Sequence, residues 1–204
     1  MLKFVANSNI IIVGATSTGK TTTVLQILKN RLINPWPPNI LYLYGARQPF
    51  MDTWADDPDN PKINFYEGLQ LDVLANYTQP KILVIDDLMM EQSRQLAQHF
   101  ISGSHHTQTT TIYISHRVYL NDDNYRLLSN NCSYMILLKS KRNRSEISRL
   151  AKQVLGEESS RLMEAYKYIM HKEYGSVLLS LHNKVPEELI VTADWLSKCP
   201  SVFL

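Results

Sequence analysis

Ile10-Ile11-Ile12-Val13-Gly14-Ala15-Thr16-Ser17-Thr18-Gly19-Lys20-Thr21-Thr22-Thr23 is the stretch whose reading decides the fold. Four β-branched residues with no polar residue among them predict a strand buried on both faces. They run straight into Gly14 to Thr21, which satisfies G-x-x-x-x-G-K-[ST] at every fixed position. Beyond Thr21, the apolar residues Val24, Leu25, Ile27, Leu28 and Leu32 recur at helical spacing. Strand, glycine loop and helix, in that order, is the setting in which such a loop holds phosphate. Gly14 and Gly19 allow a tight turn that aims successive N–H groups inward, and the helix N-terminus adds partial positive charge. The segment Gly14, Ala15, Thr16, Ser17, Thr18, Gly19, Lys20, Thr21 and Thr22 is therefore the predicted cradle for a nucleoside triphosphate. In it Lys20 would reach the β- and γ-phosphates and Thr21 would ligate Mg²⁺.

A second stretch, Lys81-Ile82-Leu83-Val84-Ile85-Asp86-Asp87, reads as a central parallel strand whose C-terminal end carries two carboxylates into a site. A phosphate cradle needs a metal, and the metal needs a hard oxygen ligand or water anchor nearby. Asp86 is assigned to Mg²⁺, acting through water, and Asp87 to orienting or deprotonating the attacking water. Glu91 is the alternative base, although an acid there also suits the first turn of the next helix. The β-branched run Thr110 to Ile114 predicts another strand, ending at Ser115-His116-Arg117. His116 then stands where a central strand ends. Two readings remain for it: an N–H donor that senses the γ-phosphate, or a histidine simply hydrogen-bonded at a strand end.

Around these stretches the chain alternates strands and helices, which predicts an α/β fold with a parallel sheet. Strands are expected at Ile40 to Tyr44, around Ile63 to Tyr66, at Tyr134 to Leu138 and at Ser176 to Leu181. Helices are expected near Leu71 to Asn76, over 91 to 101, after Arg144 and over Ser159 to His171. The 204 residues suit one domain, with residues 183–204 as a C-terminal extension whose tail carries no pattern. Apolar content of 44% and charged content of 20% are those of an ordinary soluble globular protein. A net charge of +2 does not imply nucleic-acid binding; only the placement of basic residues could. Six of them, Lys139, Lys141, Arg142, Arg144, Arg149 and Lys152, fall between 139 and 152 against the single acid Glu146. Such a run is either a solvated helix face or an anion-binding surface. Cys132 and Cys199 have no metal-ligand spacing and read as reduced thiols. His105 and His106 are adjacent and lack a third ligand, which argues against zinc. No apolar run reaches the ~18–20 residues of a membrane span, and the N-terminus has no signal-peptide pattern.

Beyond the phosphate loop, several short motifs occur in a fixed order. They are Tyr44-Gly45 with Gln48-Pro49, Tyr66-Glu67-Gly68-Leu69, Ile85-Asp86-Asp87-Leu88-Met89 and Gly103-Ser104-His105-His106. Arg126 with Ser129 and Asn131, Lys139 with Arg142, Leu150-Ala151-Lys152-Gln153 and Tyr174-Gly175 follow. With these, residues 8–182 resemble the viral genome-packaging ATPases of the FtsK–HerA superfamily. The likeness is to the branch of poxvirus-type, polinton-like and tailless icosahedral viruses, archaeal turreted ones included. The resemblance implies a RecA-like core in which an additional strand separates the phosphate-loop strand from the Asp86 strand. It implies ATP and Mg²⁺ as cofactors and a homo-oligomeric ring, pentamer or hexamer, that pulls double-stranded DNA into a preformed capsid. A capsid-vertex or portal-type virion protein would be a further partner, and the virion or host-cell cytoplasm the location.

Lys20, Thr21, Asp86 and Asp87 match that family's catalytic positions. Where the family usually carries a γ-phosphate-sensing glutamine, this chain has His116. Where it often carries an arginine after the two histidines, this chain has Thr107. Arg142, followed by Arg126, then remains as the arginine finger expected from a neighbouring subunit. A small nucleoside or nucleotide kinase is the competing reading, with residues 139–149 as a lid over the phosphates. A GTP-binding switch is disfavoured, because no D-x-x-G follows Asp86 and Asn183-Lys184-Val185-Pro186 departs from N-K-x-D at its last position.

Overall fold

The computed structural model describes residues 1–88, 94–103, 107–119 and 123–204, the side chains of 102 and 103 excepted. Glu91, His105 and His106 lie outside the described residues, as do Met89, Asn121 and Asp122. The chain begins with β1 (Phe4–Val5) and β2 (Asn9–Val13), then α1 (Lys20–Lys29), β3 (Ile33–Asn34) and β4 (Asn39–Tyr44). A short α2 (Phe50–Thr53) precedes β5 (Asn64–Glu67), β6 (Lys81–Asp86), α3 (Arg94–Gln98) and β7 (Thr109–Ser115). The second half holds α4 (Asp123–Asn130), β8 (Tyr134–Leu138), α5 (Arg144–Leu155), α6 (Ser159–Ile169) and β9 (Ser176–Ser180). It closes with β10 (Val191–Ala193) and β11 (Ser201–Val202). Leu71–Asn76, expected as a helix, is a 3-10 helix.

Among the described residues, nine strands form one sheet in the order β11-β10-β9-β8-β2-β7-β6-β4-β5. From β8 to β5 all neighbours are parallel, whereas β9, β10 and β11 each run antiparallel to the strand before them in the sheet. The fold is thus α/β with a mostly parallel central sheet flanked by helices. β7 lies between β2 and β6, so one strand separates the phosphate-loop strand from the Asp86 strand, as expected.

Every residue of β2, β6 and β7 is buried, yet the two faces of the sheet are distinct. Ile11, Val13, Leu83 and Ile85 pack with Leu96, Tyr125, Ile147, Leu150 and Leu162 of α3 to α6. Ile10, Ile12, Ile82 and Val84 pack instead with Val24, Ile27 and Leu28 of α1. Successive strand residues point to opposite faces, so residue parity decides which helices a side chain meets. Asp86 shares the parity of Ile82 and Val84 and therefore lies on the α1 face, beside the helix that begins with Lys20 and Thr21.

Residues 183–204, expected to be a C-terminal extension whose end carries no pattern, add two strands to this sheet and a buried tryptophan to its core. β10 and β11 prolong the sheet, and Trp195 is fully buried on the α1 face. Its ring meets Phe4 edge-on at 5.6 Å, and its Nε1 donates to Ser176 Oγ at 3.0 Å. The partners of this tryptophan, Phe4 and Ser176, lie far from it in sequence, so only the tertiary contact announces its burial. Trp195→Ala is expected to cost about 3–5 kcal/mol, the usual range for deleting a large buried aromatic. Leu204→Ala, at an 81% exposed position, should leave the urea midpoint unchanged. Equal midpoints for both variants would count against a structural tail.

Candidate active site

The phosphate loop joins β2 to α1 at the C-terminal edge of the parallel strands, where open α/β sheets place their ligands. Gly14 N donates to Ser115 O at 3.1 Å, tying the start of the loop to the end of β7. A side chain at Gly14 would come within 2.4 Å of Thr18 Oγ1 and 3.0 Å of Leu138 Cβ, so a larger residue there would have to displace its neighbours. Ser17 (φ 61°) and Gly19 (φ 93°) take left-handed conformations that curl the backbone into a concave turn. Thr23 N donates to Gly19 O at 2.9 Å, the first hydrogen bond of α1, which leaves the N–H groups ahead of it facing the loop. Inside, Lys20 Nζ donates to Ala15 O at 2.9 Å, and Thr18 Oγ1 donates to the same carbonyl at 2.8 Å. Burial lowers the pKa of Lys20, opposed by the nearby charges of Asp86 and Asp87.

The two acids, adjacent in sequence, diverge in space. Asp86 is 3% exposed, and its Oδ2 accepts three hydrogen bonds: from Tyr42 Oη at 2.6 Å, Gln48 Nε2 at 2.9 Å and Thr21 Oγ1 at 3.3 Å. Burial pushes the Asp86 carboxyl above its ordinary pKa, while these three donors pull in the other direction. Asp87 leaves β6 in the left-handed region (φ 57°), a conformation Asp tolerates better than most residues, and its side chain is 56% exposed. Its Oδ1 stands 3.7 Å from His116 Nε2, and His116 Nδ1 lies 3.4 Å from Lys20 Nζ. An ammonium donating to Nδ1 places the ring proton on Nε2, the atom facing Asp87. Lys20, Thr21, Asp86, Asp87 and His116, read from three separate stretches of sequence, thus come together around one point.

Arg142 lines a cleft of ≈ 770 Å³ with Ala15, Thr16, Ser17, Thr18 and His116. Arg117, Lys139 and Lys141 line it too, making its wall basic. Arg126 is elsewhere: it is 72% exposed, pairs with Asp123 at 3.4 Å, and borders a separate cleft whose lining contains no phosphate-loop residue. Glu146, the lone acid of the basic run, is not a solvated charge. It accepts from Arg117 Nη2 at 2.8 Å and Nε at 3.1 Å and from Val118 N at 3.0 Å, so it anchors the chain just after His116.

Sequence reasoning missed three contributors: Tyr42 and Gln48, which hold Asp86, and Arg117 in the cleft. Gln48-Pro49 was visible as a motif, but nothing in the sequence connects it with residue 86. For Tyr42, parity with Asp86 across the β4–β6 pair was the available signal. The pair Thr21 and Asp86 suits Mg²⁺, which takes hard oxygen donors, few of them from protein, and completes its shell with phosphate oxygens and water. Among the described residues there is no group of three or more His, Cys, Asp or Glu that could hold a metal ion.

Solved structures with this fold exist. The chain superposes on the genome packaging NTPase B204 of Sulfolobus turreted icosahedral virus 2, in complex with ATP-gammaS, with a TM-score of 0.57. The overlap covers 97% of each chain at 12% identity. It superposes on B204, the DNA-packaging ATPase of Sulfolobus turreted icosahedral virus, with a TM-score of 0.55, over 98% of each chain at 13% identity. The fold is that of the RecA-like P-loop ATPases. No protein-family model and no curated protein matches the chain. The RecA-like fold is therefore shared at an identity too low for sequence alone to carry the comparison.

Because the folded-state pKa of Asp86 is raised, its contribution to stability is fully present at acid pH and is lost as pH rises through that pKa. Asp86→Asn should therefore raise the urea midpoint above wild type at pH 7, with the gain shrinking as pH falls towards the ordinary carboxylate range near ~3.9. A difference that does not vary with pH would show that the buried charge is not its source.

Proposed function

We propose that the chain is an ATP-hydrolysing motor that moves double-stranded viral DNA into a preformed capsid. The observation that carries this reading is the meeting of Thr21 Oγ1 and Asp86 Oδ2 at 3.3 Å beside the Lys20 ammonium, on a fold shared with B204 over nearly the whole chain. In this reading the loop N–H groups and Lys20 hold the triphosphate, with Lys20 at the β- and γ-phosphates. Thr21 and Asp86 would hold Mg²⁺, which neutralises charge on the phosphate oxygens. Asp87 turns out of the strand end towards His116 and orients or deprotonates the attacking water. His116, between Lys20 and Asp87, donates from Nε2 and senses the terminal phosphate.

Arg142 lines the cleft of its own phosphate loop and so is in reach of that loop's ligand. Arg126, exposed and remote from that cleft, is the better candidate for the finger offered to a neighbour, which reverses the order expected from sequence. Such a finger stabilises charge developing on the transferred group and is worth ~10³–10⁵ in rate in related NTPases. A homo-oligomeric ring, a capsid-vertex or portal-type partner, and a location in the virion or host cytoplasm belong to the same proposal.

ATP turnover should rise with double-stranded DNA and fall as salt is raised, since phosphate contacts release counterions. Stimulation by a small phosphate acceptor, with none by DNA, would point to a kinase instead. Lys20→Ala is expected to abolish nucleotide binding, whereas Asp87→Asn should bind nucleotide and lose turnover by at least ~10²-fold. Turnover at the wild-type rate in Asp87→Asn would remove it from the base role. Arg126→Ala subunits mixed with wild type should depress activity more steeply than dilution predicts; a linear decline would reject the finger in trans.

A further inference from the structure

The antiparallel turn of β9 has a consequence for the candidate active site. In the register of β8 and β9, Leu138 faces Ser176, so the start of β9 lies at the edge where the parallel strands end. The residue pair just before β9, Tyr174-Gly175, is thereby brought beside the phosphate loop. A methyl group on Gly19 would stand 3.9 Å from Tyr174 Cδ1, and Tyr174 lines the same cleft as Ala15 to Thr18. Tyr174 is 74% exposed, so most of its ring faces solvent.

The backbone beneath this ring is held from two sides. Lys139 N donates to Gly175 O at 3.0 Å, and the Lys139 ammonium donates to Lys172 O. Gly175 sits so close to the end of α6 that a side chain there would come within 2.4 Å of Ile169 O. The turn carrying Tyr174 is therefore fixed, while its ring is offered to solvent.

Sheet order supplies the direction. The phosphate loop follows β2; Asp86 ends β6, Asp87 and His116 follow β6 and β7 on one side, and Tyr174 precedes β9 on the other. A nucleotide whose terminal phosphate faces Asp87 and His116 must send its nucleoside towards β8 and β9. We propose that Tyr174 is the platform on which the nucleobase stacks, making it the residue that distinguishes a nucleoside triphosphate from bare triphosphate. Stacking is tolerant of base identity, since every base has a π-face, and favours the larger purines.

This inference rests on the phosphate-loop reading, and the test separates the two. The probes are ATPγS and inorganic tripolyphosphate, titrated into the whole chain with Mg²⁺. Wild type should bind ATPγS more tightly than tripolyphosphate. Tyr174→Ala should weaken ATPγS binding roughly 5- to 150-fold, the range expected for one lost base–aromatic stack. It should leave tripolyphosphate binding and the melting temperature unchanged, and Tyr174→Phe should restore ATPγS binding. Equal weakening of both ligands, or no weakening of either, overturns the platform while leaving the phosphate loop intact. Failure of wild type to bind either ligand overturns the phosphate loop itself, and the platform with it.

Discussion

One carboxylate oxygen, Asp86 Oδ2, accepts hydrogen bonds from three elements: β4 through Tyr42, the segment after β4 through Gln48, and α1 through Thr21. Burying a carboxylate is costly unless donors compensate it, and here the three converge on a single atom. The rotation of the side chain is consequently fixed, and so is the distance between the end of β6 and the first turn of α1. A phosphate loop alone is a concave turn with partial positive charge. It becomes part of a site for chemistry when an acid is held at a defined place next to it, and this bond network performs that placement.

The network depends on parity. Asp86 meets Thr21 because it faces the same side of the sheet as Ile82 and Val84, against α1. Asp87 would face the α3–α6 side if β6 continued, but its left-handed backbone ends the strand and directs the side chain towards His116. Two adjacent acids thus reach one site in different states: one buried and hydrogen-bonded, the other half-exposed beside an imidazole. Glu146 adds a second fixed point, since its carboxylate grips both Arg117 and the backbone that follows His116. The wall opposite the acids is built differently, from a basic segment after β8 and from the turn that opens the antiparallel β9.

Much of the site was legible in the chain itself. The phosphate loop is contiguous, so its reading as a cradle rests on local spacing, and the left-handed turn at Gly19 suits the glycine there, whereas the one at Ser17 had no signal in the residue type. The strand ending at Asp86 was legible as a site only because the phosphate-loop spacing accompanies it; alone, an apolar run that terminates in acids could equally cap the next helix. His116 could be placed at a strand end, though not near Lys20. The interposed strand between β2 and β6 came from the resemblance and is present in the sheet. The solvated-face reading of the basic run fits Lys152, while Arg149 lies over the Tyr119 ring and Lys139, Lys141 and Arg142 line the cleft.

What the sequence determined by itself was whatever depends on neighbours in the chain: the loop, the buried strands, the α/β class and the carboxylate pair. Tertiary structure alone decided the contacts between residues far apart in sequence. These include Tyr42 and Gln48 on Asp86, Glu146 on Arg117, Tyr174 beside Gly19, and Trp195 closing the core from a tail without pattern. It also made the pairing of the last three strands antiparallel, since a short apolar run reads the same whether its partner is parallel or antiparallel. The physical reason is common to all of them. Hydrophobic periodicity reports that a face is buried, but not which other segment buries it.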